Sequence, residues 1–438
     1  MVDTVMIASL GERVVGGVGI CSQISGLLVN SFWGFLATGL LFMAQYWGAK
    51  DKEGVERAYG LMMTAMMTIG LLYTALALFF PEWFIGLLTD KQGIAEISVR
   101  YLKIIGFGYP MVVFTSGVSA YLRSTERIRI PLYASIMGVA TNVFLNWVLI
   151  YGRFGIPALG VEGAAIATVT GNFVNLAACL IMARAAGCKT LFRIKAHFRW
   201  NKKFVKEFFQ KGALILSNEI LCTIHTFIVT AIFGRQSEAA IEVVAVITTL
   251  QGIFISMFQG FSSAGSIIVG NSVGAGRLED AYKKAFRLIL VMMVVMAALS
   301  GILFLVKTPV LSTMGLEGDT LALGKQVTYI FGVAMIFRMS DWVYTEMHRA
   351  GGDPITGCVS EAITMYGITV PLMLLAAYVF KLPFIFVFMA RYIEDPIRWV
   401  FMCWSLLRGR WIRPVTEEGK KALPEYWKRH NIKPKIIR

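Results

Sequence analysis

Apolar residues in this chain come in long runs. Segments near 15–47, 58–80, 99–122, 131–151, 160–186, 211–234, 239–270, 284–307, 322–349, 356–380 and 382–405 are dominated by Leu, Ile, Val, Phe, Met and Ala. About 20 apolar residues wound as a helix match the hydrocarbon thickness of a bilayer. Clusters of Gly, Pro and charged residues separate the runs, as turn chemistry requires. The pattern predicts an all-α polytopic membrane protein with eleven full spans. The stretch PEWFIGLLTDKQG after Phe80 reads as a short interfacial helix and loop.

Composition supports this reading. Of 438 residues, 56% are apolar and only 16% charged, against about 25% charged in soluble domains. The opening VDTVMIAS is not a secretory signal, because it has no basic n-region and Asp3 stands where the apolar core should be. The six cysteines and four histidines are scattered, with no metal-ligand spacing. The net charge of +15 is concentrated in 184–211, with nine Lys and Arg, and in 408–438, with ten. Basic residues also cluster at 50–57, 123–129 and 277–287, whereas the alternate connections carry few. This is a positive-inside pattern that puts the C-terminus in the cytoplasm and excludes nucleic acid as the partner.

Sliding the chain on itself by 226 residues reveals an internal repeat. Phe32 meets Phe258, Gly34 meets Gly260, Gly39 meets Gly265, Gly48 meets Gly274 and Glu53 meets Glu279; the same offset later pairs Gly106 with Gly332 and Arg123 with Arg349. The halves share one orientation, so the repeat is parallel, about an axis along the membrane normal. The expected organisation is a first lobe at 1–186, a basic cytoplasmic linker at 187–210, a second lobe at 211–405 and a basic cytoplasmic tail at 406–438. Extended backward, the offset sets Met1 on Phe227, deep inside a span. The expectation is that about 20–25 residues of the first helix precede Met1, since a partial helix leaves backbone groups unsatisfied in lipid. The competing expectation is a protein that works with eleven and a half spans.

Several strings resemble the multidrug and toxic compound extrusion (MATE) transporters: MVDTVMIASLG, the glycine pattern GF-x-x-x-G…GA in both halves, ALGVEGAAIAT at 158–168, SNEIL at 217–221, HRAGGDP at 348–354 followed by ITVPL, and ARYIEDPIRW at 390–399. The resemblance covers essentially the whole chain and looks closer to the NorM-like and clostridial branches than to the DinF-like branch. It implies two six-helix lobes around a central cavity that opens alternately to each side. It also implies export of amphipathic organic cations driven by inward sodium or proton flow. Asn146 stands where the DinF-like branch tends to carry an aspartate, a departure that weakens the case for a proton relay in the first lobe.

An ionisable group inside a span costs a few kcal/mol at least and needs a reason. Glu219 reads as about eight residues into an apolar helix, beside Asn218, with Thr223 and Thr226 on its face and no basic residue one turn away. The resemblance places a cation-site glutamate here. It also points to Asp341, followed by Tyr344 and Thr345, and to Glu361, where the family often has an aspartate. These three carboxylates are the coupling candidates, as hard oxygen ligands for sodium, with Glu219 and Asp341 as its first-choice ligands, or as proton carriers. Arg338 at i−3 offers Asp341 a purely structural partner. Asp3, Asn30, Asn142, Asn146, Asn172 and Asn175 are candidates to line the first lobe, with interhelical packing as the competing role. Arg391, Glu394, Asp395 and Arg398 are spaced to neutralise one another along one helix.

The leading expectation is a cation-coupled antiporter for organic cations in a bacterial cytoplasmic membrane, working as a monomer among lipids. It uses no cofactor beyond its coupling ion, sodium or proton. The alternatives are a lipid-linked oligosaccharide flippase, which would want several cavity-facing Arg and Lys, and a truncated, inactive transporter. No catalytic constellation supports an enzyme.

Overall fold

The computed structural model describes residues 6–7, 10–89 and 91–432. Asp3 lies outside them. Two compact units appear: the residues up to Met43 together with Lys52–Leu216, and Ala44–Asp51 together with Ser217–Arg438.

Among the described residues, ten helices are long and apolar enough to cross a membrane. In the first half they are α1 (Glu12–Gly48), α2 (Lys52–Phe79), α3 (Gln92–Ser124), α4 (Arg129–Tyr151) and α5 (Gly160–Ala185). Then come α6 (Lys202–Phe233), α7 (Glu238–Gly274), α8 (Leu278–Thr313), α9 (Gly318–Gly351) and α10 (Pro354–Val379). The expected short helix after Phe80 is Pro81–Gly86. The eleventh apolar run forms two pieces, α11a (Phe384–Tyr392) and α11b (Glu394–Leu407). Pro396 has no N–H for the carbonyl one turn back at Tyr392, so the ladder breaks there. In α10, Pro371 likewise follows a widened π turn at Met365–Thr369.

The repeat extends to helix ends. Helices α1 and α7 start at Glu12 and Glu238 and stop at Gly48 and Gly274, each pair one offset apart. α2 and α8 start one offset apart, as do α3 and α9. The caps agree as well. After α9, Gly352 takes a left-handed φ of 100°, and its N–H and that of Asp353 donate to the carbonyls of Arg349 and His348. After α3, Glu126 takes φ 63° and makes the corresponding bonds with Arg127. Glycine bears this conformation without strain and glutamate does not.

Apolar burial gives helices little reason to associate in lipid, so close backbone packing and interhelical hydrogen bonds carry more of the load. In the second unit, the end of α1 lies against the end of α7. A Cβ at Gly48 would strike the Asn271 carbonyl, and one at Gly274 would strike the Gln45 carbonyl. Gln45 and Asn271 are themselves one offset apart, so this crossing is pseudo-symmetric. Gln45 is fully buried, donates to the Ala350 carbonyl at 2.8 Å and accepts from the Val415 N–H at 2.8 Å. The tail then packs back on this unit. Trp411 is buried against Gly351, Thr416 donates to the Gly274 carbonyl at 2.8 Å, and helix α12 (Glu417–Arg429) follows.

Gly48→Ala and Gly274→Ala should each lower the thermal unfolding midpoint of the purified protein, at a cost of about 1–3 kcal/mol from overpacking. Gly252→Ala, whose Cβ meets nothing within 4 Å, should leave the midpoint unchanged or raise it.

Candidate functional site

The apolar length of α9 is interrupted by charge at Arg338, Asp341, Glu346 and Arg349. Arg338, Asp341, Thr345 and Arg349 recur at three- and four-residue spacing, so one stripe of the helix carries them. All four are buried. A charge stripe survives inside a span only if facing helices supply its counter-charges. Here α6, α10 and the broken α11 supply them.

Three ion-pair groups result. In the first, Arg349 reaches Glu346 on its own helix at 2.7 Å and Glu219 of α6 at 3.6 Å. In the second, the Arg398 guanidinium of α11b bonds the Asp341 carboxylate through Nε and reaches Glu361 of α10 at 3.2 Å. Glu361 also accepts from the Asn218 amide at 2.8 Å. In the third, Arg338 donates to Asp395 at 2.9 Å and to Glu394 at 3.2 Å, and Arg391 joins Glu394 at 3.1 Å. Thr369, in the π turn of α10, donates to Glu394 at 2.7 Å. The widened turn sets that hydroxyl against the carboxylate.

The charge count differs among the groups. The third is balanced, with two carboxylates on two arginines. In the first two, a pair of carboxylates shares one guanidinium, which leaves one formal negative charge in each. Their access differs too. Glu219 and Glu346 keep 27% and 21% of their side-chain surface exposed, whereas Asp341 and Glu361 keep 0% and 8%.

The three expected coupling carboxylates thus converge within one unit, though not on one centre. Glu219 and Asp341 have different arginine partners, and Glu361 shares Arg398 with Asp341. Among the described residues, no group of three or more His, Cys, Asp or Glu gathers as a metal cage. Glu219 and Asp341, the first-choice sodium ligands, are each paired with an arginine, Arg349 and Arg398. Several structural expectations change for the same reason. Glu219 sits in the middle of α6, which begins at Lys202, and its counter-charge arrives from α9. Arg338 passes over Asp341 to reach α11. Of the four charges at 391–398, only Arg391 and Glu394 pair along the helix. Tyr344 is buried edge-on to Trp399, with ring centroids 6.4 Å apart.

In the first unit, Asn146 donates to Asn142 and Asn142 donates to Thr168, both at 3.3 Å, so these asparagines join α4 to α5. Asn172 and Asn175 line a cavity. Asn30 is exposed on α1. Sequence reasoning missed Arg349 and Arg398 as central members. The available signal was four charges within eight residues of an otherwise apolar run.

The MatE family model matches residues 1–148 and 215–375, one stretch in each half. The chain is 21% identical over 376 residues to the probable multidrug resistance protein YoeA of Bacillus subtilis, covering 85% of this chain and 81% of that protein. It is 27% identical over 343 residues to the probable multidrug resistance protein NorM of Neisseria meningitidis serogroup B, covering 76% and 72%. Its fold is similar to a MATE crystal structure in the bent conformation, with TM-score 0.82 and 15% identity over 96% of this chain and 92% of that one. It is also similar to a multidrug resistance MATE family transporter in an outward-facing conformation, with TM-score 0.80 and 16% identity over 93% and 90%.

Arg398→Met strands Asp341 and Glu361 in the interior and should cost about 3–5 kcal/mol of stability, read from the thermal unfolding midpoint. Adding Asp341→Asn and Glu361→Gln should recover most of the loss.

Proposed function

The chain belongs to the MatE family, and on that premise we propose that it exports amphipathic organic cations in exchange for sodium ions or protons. It does so as a monomeric multi-pass transporter of a bacterial cytoplasmic membrane, with its C-terminus in the cytoplasm. The observation that carries this reading is the charge imbalance of two groups built on buried arginines: Glu219 and Glu346 on Arg349, and Asp341 and Glu361 on Arg398.

Each group lacks one positive charge. A proton on a carboxylate, a sodium ion on carboxylate oxygens, or the positive charge of a cargo would each neutralise it. Two of these at once would overshoot. Occupants that exclude one another at a shared carboxylate are what an antiporter needs. If coupling ion and cargo also favour opposite-facing states, occupancy shifts the population between them and drives alternating access. Glu219 is the entry point in this scheme because it is the more exposed. Asp341 and Glu361 form the inner station, and Asn218 ties α6 to it through Glu361. The family relationship to proteins described as multidrug resistance transporters supports the cargo class. The four arginines of these groups are each engaged by carboxylates, which disfavours a flippase that would hold pyrophosphate with them as free guanidinium groups.

Glu219→Gln and Glu361→Gln should each abolish ethidium export from pump-deficient bacteria while reaching wild-type levels in the membrane. Ethidium accumulation at matched expression is the readout, and normal export by either variant removes the carboxylate mechanism. In everted vesicles loaded with ethidium by the wild type, a sodium pulse or an acid pulse identifies the coupling ion.

A further inference from the structure

The linker between α5 and α6 is held against the start of α2, and the two enclose a cavity. The linker forms two short helical turns, Lys189–Phe192 and Ile194–His197. His197 is buried edge-on to Tyr59 of α2, with ring centroids 5.0 Å apart, and its Nε2 lies 3.2 Å from the Thr190 carbonyl. Gly60 makes the room, since a Cβ there would strike the His197 carbonyl. Thr190 bonds the Tyr121 hydroxyl of α3, and Leu191 is buried. The linker is thus a fixed wall. The cavity measures about 490 Å³ and lies wholly in the first unit, a size that suits a small polar group.

Its charges do not cancel. The first two turns of α2 contribute Glu53, Glu56 and Arg57, and the linker contributes Arg193, Lys195 and Arg199. Glu53 and Arg57 offset each other, which leaves three linker cations facing Glu56. Of these, Arg193 reaches Glu56 at 3.7 Å, and among the described residues no ion pair engages Lys195 or Arg199. Glu56 is 3% exposed, yet its Oε1 accepts no hydrogen bond, because Arg193 stands too far off to donate one. A buried acceptor without a donor, beside cations in excess, asks for an anion that carries its own O–H group.

The place of the cavity says where that anion comes from. Glu53, Glu56 and Arg57 open α2, one of the helices long and apolar enough to cross a membrane, so the cavity lies at headgroup depth. Ile194 in its wall and Phe198 between Lys195 and Arg199 are 68% and 59% exposed. Exposed apolar side chains interleaved with cations suit the boundary between headgroups and acyl chains.

We propose that this cavity binds the headgroup of phosphatidylglycerol. The phosphodiester sits on Lys195 and Arg199, a glycerol hydroxyl donates to Glu56 Oε1, and the acyl chains leave along Ile194 and Phe198. The single negative charge lowers the cationic excess, whereas the ammonium of phosphatidylethanolamine would restore it. The proposal rests on neither the cargo nor the coupling ion, because binding is measured without transport.

Native mass spectrometry of the purified full chain in detergent, titrated with one lipid at a time, tests it. Wild type should bind phosphatidylglycerol about tenfold or more tighter than phosphatidylcholine. Phosphatidylmethanol has the same charge and no hydroxyl, and should bind about fivefold or more weaker than phosphatidylglycerol. Lys195→Gln combined with Arg199→Gln, both exposed positions, should weaken phosphatidylglycerol by about tenfold or more. Lys202→Gln combined with Lys203→Gln alters exposed cations outside the cavity wall and should leave binding unchanged. Glu56→Met should remove the preference for phosphatidylglycerol over phosphatidylmethanol. Elution profile and thermal midpoint establish which variants are folded. If Glu56→Met does not fold, the wild-type preference between those two lipids decides. Equal binding of phosphatidylglycerol and either comparison lipid by wild type overturns the proposal. So do equal losses in the two double variants, which would mark diffuse surface charge. Glycerophosphoglycerol is the same headgroup without acyl chains; if it competes as strongly as the lipid, the ligand is a soluble phosphodiester and the proposal also falls.

Discussion

A guanidinium inside a membrane protein must be met by carboxylates, and a carboxylate there must be met by a cation. Most of the second half follows from that constraint. Arg398 is 1% exposed, yet it is held between Asp341 of α9 and Glu361 of α10. One side chain on the broken α11 thereby links three elements, and Asn218 brings in α6 as the fourth. Such pairs add little net stability, because desolvation offsets their attraction, but breaking one is severe. They act chiefly to fix which helix faces which. Where carboxylates outnumber arginines, the same network carries one formal negative charge in excess.

The breaks in helical regularity serve this network. Pro396 interrupts α11 between Tyr392 and Glu394; the charges that meet α9 follow the interruption, and Arg391 before it pairs with Glu394 across it. The π turn before Pro371 sets Thr369 on Glu394. A regular helix would present every residue at 100° steps, whereas a local defect re-aims a turn without moving the rest. The glycine crossing of α1 with α7 does the opposite work, removing side chains so that backbones meet.

The repeat shows what was held fixed and what was free to change. Helix starts, caps and crossing glycines recur one offset apart, because they set backbone geometry on which every neighbour depends. Most charges of the site do not recur. Asp341, Glu346 and Glu361 stand opposite Thr115, Ala120 and Ser135, and Arg338 and Arg398 opposite Val112 and Asn172, whereas Arg349 matches Arg123.

The sequence by itself determined the helical class, the positions of ten spans, the duplication and the presence of costly carboxylates at 219, 341 and 361. Each is a property of local composition or of self-comparison, and needs no knowledge of neighbours. It did not determine who pairs with whom. Local spacing offered Arg338 to Asp341 and made the 391–398 charges self-sufficient, because i±3 and i±4 are the only contacts a linear pattern can see. Arg398 with Asp341, and Arg349 with Glu219, join residues 57 and 130 positions apart. Those pairings exist only because helix packing brings distant faces together, where a charge left unpaired would be poorly solvated.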